Sequence, residues 1–194
     1  MLKKLVMALG AVVVIAVLAV LGIASTKPDT MRIERKGSTT AAPATVYAIL
    51  NDFHRFHEWS PWQKLDPNMK VDIQGGPGTG SVYHWSGNAE AGEGRMTITD
   101  SQPDSHVGMD LEFIKPFESK STAEFLLAPS GNGTEVTWVM NSKNNMMSKV
   151  MLVFMNMDAM VGKDFTEGLS NLARVAEREP APMATDSTAA PTRS

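Results

Sequence analysis

A chain of 194 residues, 43% apolar and 20% charged, has the size and composition of one folded domain with short appendages. A formal net charge of −3, with no basic patch interleaved with aromatics, gives nucleic acid no general electrostatic hold. The absence of cysteine removes disulfides, thiolate metal sites, a cysteine nucleophile and a lipidated N-terminal cysteine.

Residues 1–4 form a basic start containing Lys3 and Lys4, and the uncharged run LVMALGAVVVIAVLAVLGIA follows from Leu5 to Ala24. As a helix rising about 1.5 Å per residue it would span roughly 30 Å, the hydrocarbon thickness of a bilayer. It has no polar face, so it does not read as the buried helix of a core. A cleaved signal peptide competes with a retained transmembrane anchor, because Gly22 and Ala24 are set like a cleavage site. The apolar centre of such a peptide is usually shorter, which favours the anchor. Lys27, Arg32, Arg35 and Lys36 outnumber the lysines before the span, so the positive-inside pattern does not fix orientation. The secretory character of the start points to a single-pass membrane protein with its domain on the extracytoplasmic side.

Residues 25–30 read as a linker and 31–179 as the domain. Met31–Thr40 has the look of a first strand. Pro43 suits an early helical position, and Val46, Tyr47, Ile49 and Leu50 give a short helix that stops near Asn51 and Asp52. In the following stretch, NDFHRFHEWSPW, Asp52 is expected to cap a short helix, with Phe53 and Phe56 inward and His54 paired with Glu58. Its two histidines match neither zinc-binding helical motif, and a zinc site would need one or two further ligands that distant His84 and His106 alone could supply, so no metal or other cofactor is expected.

Strands and turns then alternate. GGPGTG at 75–80 lacks the residues of a phosphate-binding loop and reads as a hairpin turn; SGNGT at 130–134 turns another through its Asn-Gly pair. Between and after them Met96 and Ile98, then Val107, Met109, Leu111 and Phe113, then Phe125 and Leu127, then Val136, Trp138 and Met140 recur at period two. This is the pattern of an antiparallel sheet with one buried face. From about Asn145 to Glu179 the period becomes helical. Met147, Met151, Phe154, Asp158, Val161, Phe165, Leu169, Leu172 and Ala176 share one stripe, opposite Lys149, Asn156, Lys163, Glu167 and Arg174. The order is that of an α+β domain whose long helix covers a curved sheet. Residues 180–194, proline-, alanine- and threonine-rich, read as a disordered tail.

The segments PATVYAILNDFHRFHEWSPW, GSVYHWSGN, GEGRMTIT and MNMDAMVGKDFTEGLSNLARVAE together resemble the polyketide-cyclase-like branch of the START and birch-pollen-allergen superfamily. The likeness covers 31–179 and rests on order and spacing, not on one motif. It implies a helix-grip fold: a seven-stranded antiparallel sheet wrapped around a long C-terminal helix, with a cavity between them. Members bind hydrophobic molecules such as lipids or polyketides, and a minority act on them chemically.

With that resemblance, Trp59 and Trp62, joined by Ser60-Pro61, fall at the expected cavity mouth. Met96, Met109, Met151 and Met155 lie on or beside the interior face, where flexible thioethers suit a changeable apolar surface. Trp85, Phe113, Phe125, Trp138 and Phe154 complete the expected lining. Asp158 interrupts the helix's apolar stripe, so it needs a partner such as Arg95 or a sheet lysine, or a polar ligand head. Asp158 and His84 are the candidate proton carriers if the domain is a cyclase or dehydratase. The leading expectation is a membrane-anchored domain, held through residues 5–24, that binds a hydrophobic small molecule in an internal cavity and not nucleic acid. The alternatives are that enzyme and a cavity-free module for interactions in the cell envelope.

Overall fold

The period-two segments become one antiparallel sheet of seven strands, ordered β1-β7-β6-β5-β4-β3-β2. In the computed structural model, which describes residues 2–180 (side chains of Leu2, Leu5 and Ala8 excepted), they are β1 (Thr30–Thr39), β2 (Lys70–Gln74), β3 (Val82–Ser86), β4 (Glu93–Gln102), β5 (His106–Lys115), β6 (Ser119–Ser130) and β7 (Gly133–Lys143). Met1 and the expected tail from residue 181 onward lie outside the described residues. The strand order returns β1 beside β7, so the first and last strands pair directly, with Ile33 opposite Met140 and Arg35 opposite Trp138. The GGPGTG turn joins β2 to β3, with Gly75, Gly78 and Gly80 at positive φ that a side chain would strain. The β6–β7 turn differs from the expected Asn-Gly turn: Gly131, at φ 58°, and Asn132 form the loop, while Gly133 already pairs with Ser130.

Helices flank the sheet. α1 (Leu2–Ser25) carries the apolar run, and its side chains from Leu9 to Ile23 are largely exposed. Among the described residues no helix is long and apolar enough to cross a membrane; the expected run Leu5–Ala24 includes Leu5 and Ala8, whose side chains lie outside the description. α2 (Pro43–Leu50) starts on its proline and buries Val46, Ile49 and Leu50. Asp52 caps the next turn as expected, its carboxylate accepting from the His54 backbone N–H at 2.9 Å. The side-chain pairing differs: His54 meets Asp52, while Glu58 is taken by Arg55. α3 (Phe56–Trp59) then buries Phe56 and Trp59.

The expected continuous helix from Asn145 to Glu179 is two helices, α4 (Met146–Phe154) and α5 (Met157–Ala176). Met155 adopts φ −129°, ψ 137°, an extended conformation that ends α4. Asn156 restarts the chain by capping the Ala159 N–H at 3.0 Å. The break redirects everything before it. α5 lies along β1 with Phe165, Leu169, Leu172 and Ala176 buried, whereas α4 packs on α1 and buries none of its residues fully.

Candidate functional site

Alternation along each strand puts one set of side chains on the concave face that α5 grips. Toward the C-terminal end of α5 this face is solid. Trp138 stacks on Phe165 with ring centroids 3.9 Å apart and planes 3° from parallel. Phe125 lies 4.8 Å from the same indole, and Trp59 and Trp62 meet it edge-on at 5.6 and 5.7 Å. Gly168 of α5 is there because a β-carbon would press into the Trp138 ring and against Pro61. Phe53, Phe56 and Tyr83 extend the cluster; burial pushes the Tyr83 hydroxyl up to about 12. The interior expected to be hollow is therefore filled with aromatic rings in this half, and one crevice between Gly37 and Leu172 at the edge of α5 holds about 10 Å³. The indole N–H groups of Trp59 and Trp138 are buried without an acceptor, each a cost of about 1–3 kcal/mol.

The other half of the concave face is different. One ladder row runs Met31, Ser142, Ser121, Leu111, Met96 and Tyr83 across six neighbouring strands. The next row holds Ser119, Phe113, Gly94 and Trp85. Met31, Leu111, Phe113 and Trp85 face the same way as the buried Met96 and Met109, yet remain half-exposed. They are uncovered because the helix that would overlie them stops at Met155 and α4 turns to α1. The wall of this open half is built with care. The Trp85 indole lies across Gly94, where a β-carbon would sit 2.5 Å from ring carbons and 2.6 Å from the Glu112 carbonyl. Its Nε1 donates to the Ala91 carbonyl at 3.0 Å, and Phe113 meets the ring edge-on at 5.9 Å. Ser121 and Ser142 share a hydrogen bond of 2.7 Å, a small polar spot in an apolar floor. At the ends of β3, β4 and β5 a separate open hollow of about 440 Å³ is bordered by Ser86, Glu93, Lys115 and Pro116, and neither Trp85 nor Phe113 lines it.

The residues singled out from sequence thus separate. Trp59, Phe125 and Trp138 are packed core, and Trp62 lies at its edge, donating from Nε1 to Asp164 at 3.2 Å. Trp85, Met96, Met109 and Phe113 gather at the half-open floor. Met151 is half-buried on α4, while Phe154, 70% exposed, and Met155 lie on the outer surface, away from the sheet. Asp158 is not buried in a stripe; its side chain is 59% exposed, and its partner is Arg35, not Arg95. Both terminal guanidinium nitrogens of Arg35 donate to its carboxylate, at 3.2 and 3.0 Å, which holds its pKa below the usual range and keeps it ionised. Arg95 instead pairs with Glu112 on the convex face. His84 also points to the convex face, its Nε2 3.7 Å from Glu93. The two candidate proton carriers are on opposite sides of the sheet. Leu111, Met31, Ser121 and Ser142 were not singled out; Leu111 stood in a visible alternation, but the serines carried no apolar signal.

The segment carrying Trp59 is fastened at its outer side by Arg55, which donates to Glu58 at 2.9 and 2.7 Å and to Glu179 at 2.6 Å. Arg55 holds the Glu58 carboxyl below its ordinary 4.5. A carboxyl depressed on folding contributes stability that is fully present above its unfolded-state value and lost as pH falls through the lower folded-state value. Urea midpoints are therefore expected to drop as pH falls below 4.5, and Arg55→Gln to make that drop shallower. An acid limb of equal steepness in the variant would dissociate the cluster from stability.

The family profile described as polyketide cyclase / dehydrase and lipid transport matches residues 30–177. Among curated proteins, none matches the chain by sequence. Solved structures do. A protein of Chromobacterium violaceum superposes with TM-score 0.56 at 15% identity, covering 79% of this chain and 100% of its own. The Aha1 dimer of Colwellia psychrerythraea gives 0.54 at 17%, covering 76% and 97%. Ara h 8.0201 gives 0.52 at 12%, covering 77% and 99%. At these identities the likeness is one of fold.

Proposed function

Since the chain belongs to the polyketide cyclase / dehydrase and lipid transport family, we propose that it binds a hydrophobic small molecule on the half-open concave face of its sheet, tethered beside a bilayer by residues 5–24. One observation carries the binding site: Met31, Leu111, Phe113 and Trp85 are left half-exposed on the face whose other half is sealed. An apolar floor of this kind, walled by a fixed indole and relieved by one serine pair, suits an elongated lipid, isoprenoid or polyketide-like guest with few polar atoms. Each methylene buried there contributes about 0.8 kcal/mol, so about ten give a gross ~8 kcal/mol before the cost of association.

The tether is supported by the uncharged run Leu5–Ala24 and by apolar side chains exposed around α1, Leu9 and Ile15 among them. With the secretory start, this reading puts the domain on the extracytoplasmic side. A cyclase or dehydratase is disfavoured by the geometry: Asp158 is ionised and engaged by Arg35, and His84 faces away.

The test is native mass spectrometry of the full-length chain extracted in lipid nanodiscs, with a fluorescent fatty-acid probe titrated in parallel. Co-purification of an apolar adduct at one per chain, and saturable probe binding with energy transfer from tryptophan, are the expected results. No adduct and a linear, unsaturable probe response would overturn the reading.

A further inference from the structure

α4 turns large apolar side chains outward. At 100° per residue, Met146, Met147, Val150 and Phe154 fall within one third of its circumference. Most of that face points away from the protein: Met146 and Met147 are more than half exposed and Phe154 is 70% exposed, while Val150 between them is half-buried. Its two polar residues, Ser148 and Lys149, are on the inner side together with the half-buried Met151, Leu152 and Val153. Ser148 bonds back to the Asn145 cap, and Lys149, its side chain only 12% exposed, reaches Asp29 in the linker after α1. A soluble surface helix places its polar residues on the outer side.

The outward apolar face does not stand alone. α4 packs on α1; Val20 and Ala24, four apart, are the less exposed positions at the end of that helix, and Lys27 just beyond it is half-buried. The Asn144 side chain donates to the Pro28 carbonyl at 3.0 Å and its backbone N–H to Asp29 at 2.8 Å. The exposed side of α4 therefore continues the apolar surface of α1 at the end where the chain leaves it, and Met155 and Met160 prolong that surface along the start of α5. Lys27 and Lys143 lie at the same junction, at the level where cationic side chains meet lipid phosphates.

We infer that α4 is a second membrane contact: it seats its Met146–Met147–Val150–Phe154 face in the interfacial layer of the bilayer, beside the exit of α1. The inference rests on the tether proposed above for the occupant, a bilayer, and adds to it where the domain touches that bilayer. It also puts Met31, one residue of the half-open floor, at the end of β1 nearest α1. A seat about 5–10 Å into the boundary between headgroups and acyl chains is typical of interfacial amphipathic helices.

The chain has no cysteine, so single cysteines report cleanly. Phe154→Cys, Val13→Cys in α1 and Leu126→Cys on the outer face of β6 are each labelled with an environment-sensitive fluorophore in the full chain. The labelled chains are reconstituted into phosphatidylcholine–phosphatidylglycerol vesicles carrying nitroxide lipids, with the nitroxide either near the headgroup or deep in the acyl chain. The expected result is loss of the position-154 emission to the shallow nitroxide, of position 13 to the deep one, and of position 126 to neither. Position 154 behaving like 126 while 13 is quenched overturns the seat of α4 and leaves the tether standing. Position 154 quenched most by the deep nitroxide also overturns it. Quenching at 154 without quenching at 13 supports α4 and removes the tether, and quenching at neither removes both.

Discussion

Trp138→Ala is expected to destabilise the domain by about 3–5 kcal/mol, the range for removing a large aromatic from a packed core. That is a major part of the ~5–15 kcal/mol that holds a typical domain together. The reason is position. Trp138 is the ring on which Phe165 of α5, Phe125 of β6 and both Trp59 and Trp62 converge. Deleting it removes the surface that α5 and the α3 segment share, and Gly168 and Pro61, already close, have no side chain able to refill the space. Urea denaturation followed by far-ultraviolet circular dichroism should show a midpoint shifted strongly downward and near-ultraviolet signal lost first. Trp138→Phe should lose much less, because it retains a ring and deletes a buried N–H that has no acceptor. A midpoint for Trp138→Ala equal to wild type would mean that the rings do not form the core.

Leu111→Arg is expected to weaken binding of an apolar probe by about ten- to a hundredfold, the equivalent of the ~1.5–3 kcal/mol that one leucine contributes when covered. Leu111 sits mid-row, between Met96 and Ser121, on the uncovered floor. Being half-exposed, the site lets arginine lay its stem on the sheet and turn its head to water, so the fold should survive. The check is a titration of the fluorescent fatty acid beside a urea midpoint. Unchanged affinity with an unchanged midpoint would move the binding site away from this face. Weak binding with a collapsed midpoint would show instead that Leu111 is core.

Much of the sheet was legible in the chain because alternation of side chains across a strand is a local property. Val107, Met109, Leu111 and Phe113 reported their face without any knowledge of their neighbours. The break at Met155–Asn156 was not legible in the same way. Periodicity counts apolar residues at helical spacing, and Met151, Phe154, Asp158 and Val161 keep the count through the kink. Only Asn156, a favoured capping residue, marked it. Asp158 shows the other limit. Its partner comes from β1, whose Arg35 stood among the cations after the apolar run, and strand pairing decides which arginine arrives. The resemblance correctly implied the grip but not its filling: whether aromatics clash, stack or leave room depends on crossing geometry, which Trp59, Phe125 and Phe165 express only once folded.

The stalk between α1 and β1 is fastened on one side by Asn144 and on the other by Lys149 to Asp29. For a chain held in a bilayer, such fastening removes the swivel that a loose linker would grant. The sheet would then turn only as α1 turns about the bilayer normal, sweeping its uncovered floor through a fixed arc. Encounters with a guest would be lateral, a search in two dimensions instead of three. Their frequency would follow lipid diffusion and not the viscosity of the surrounding water.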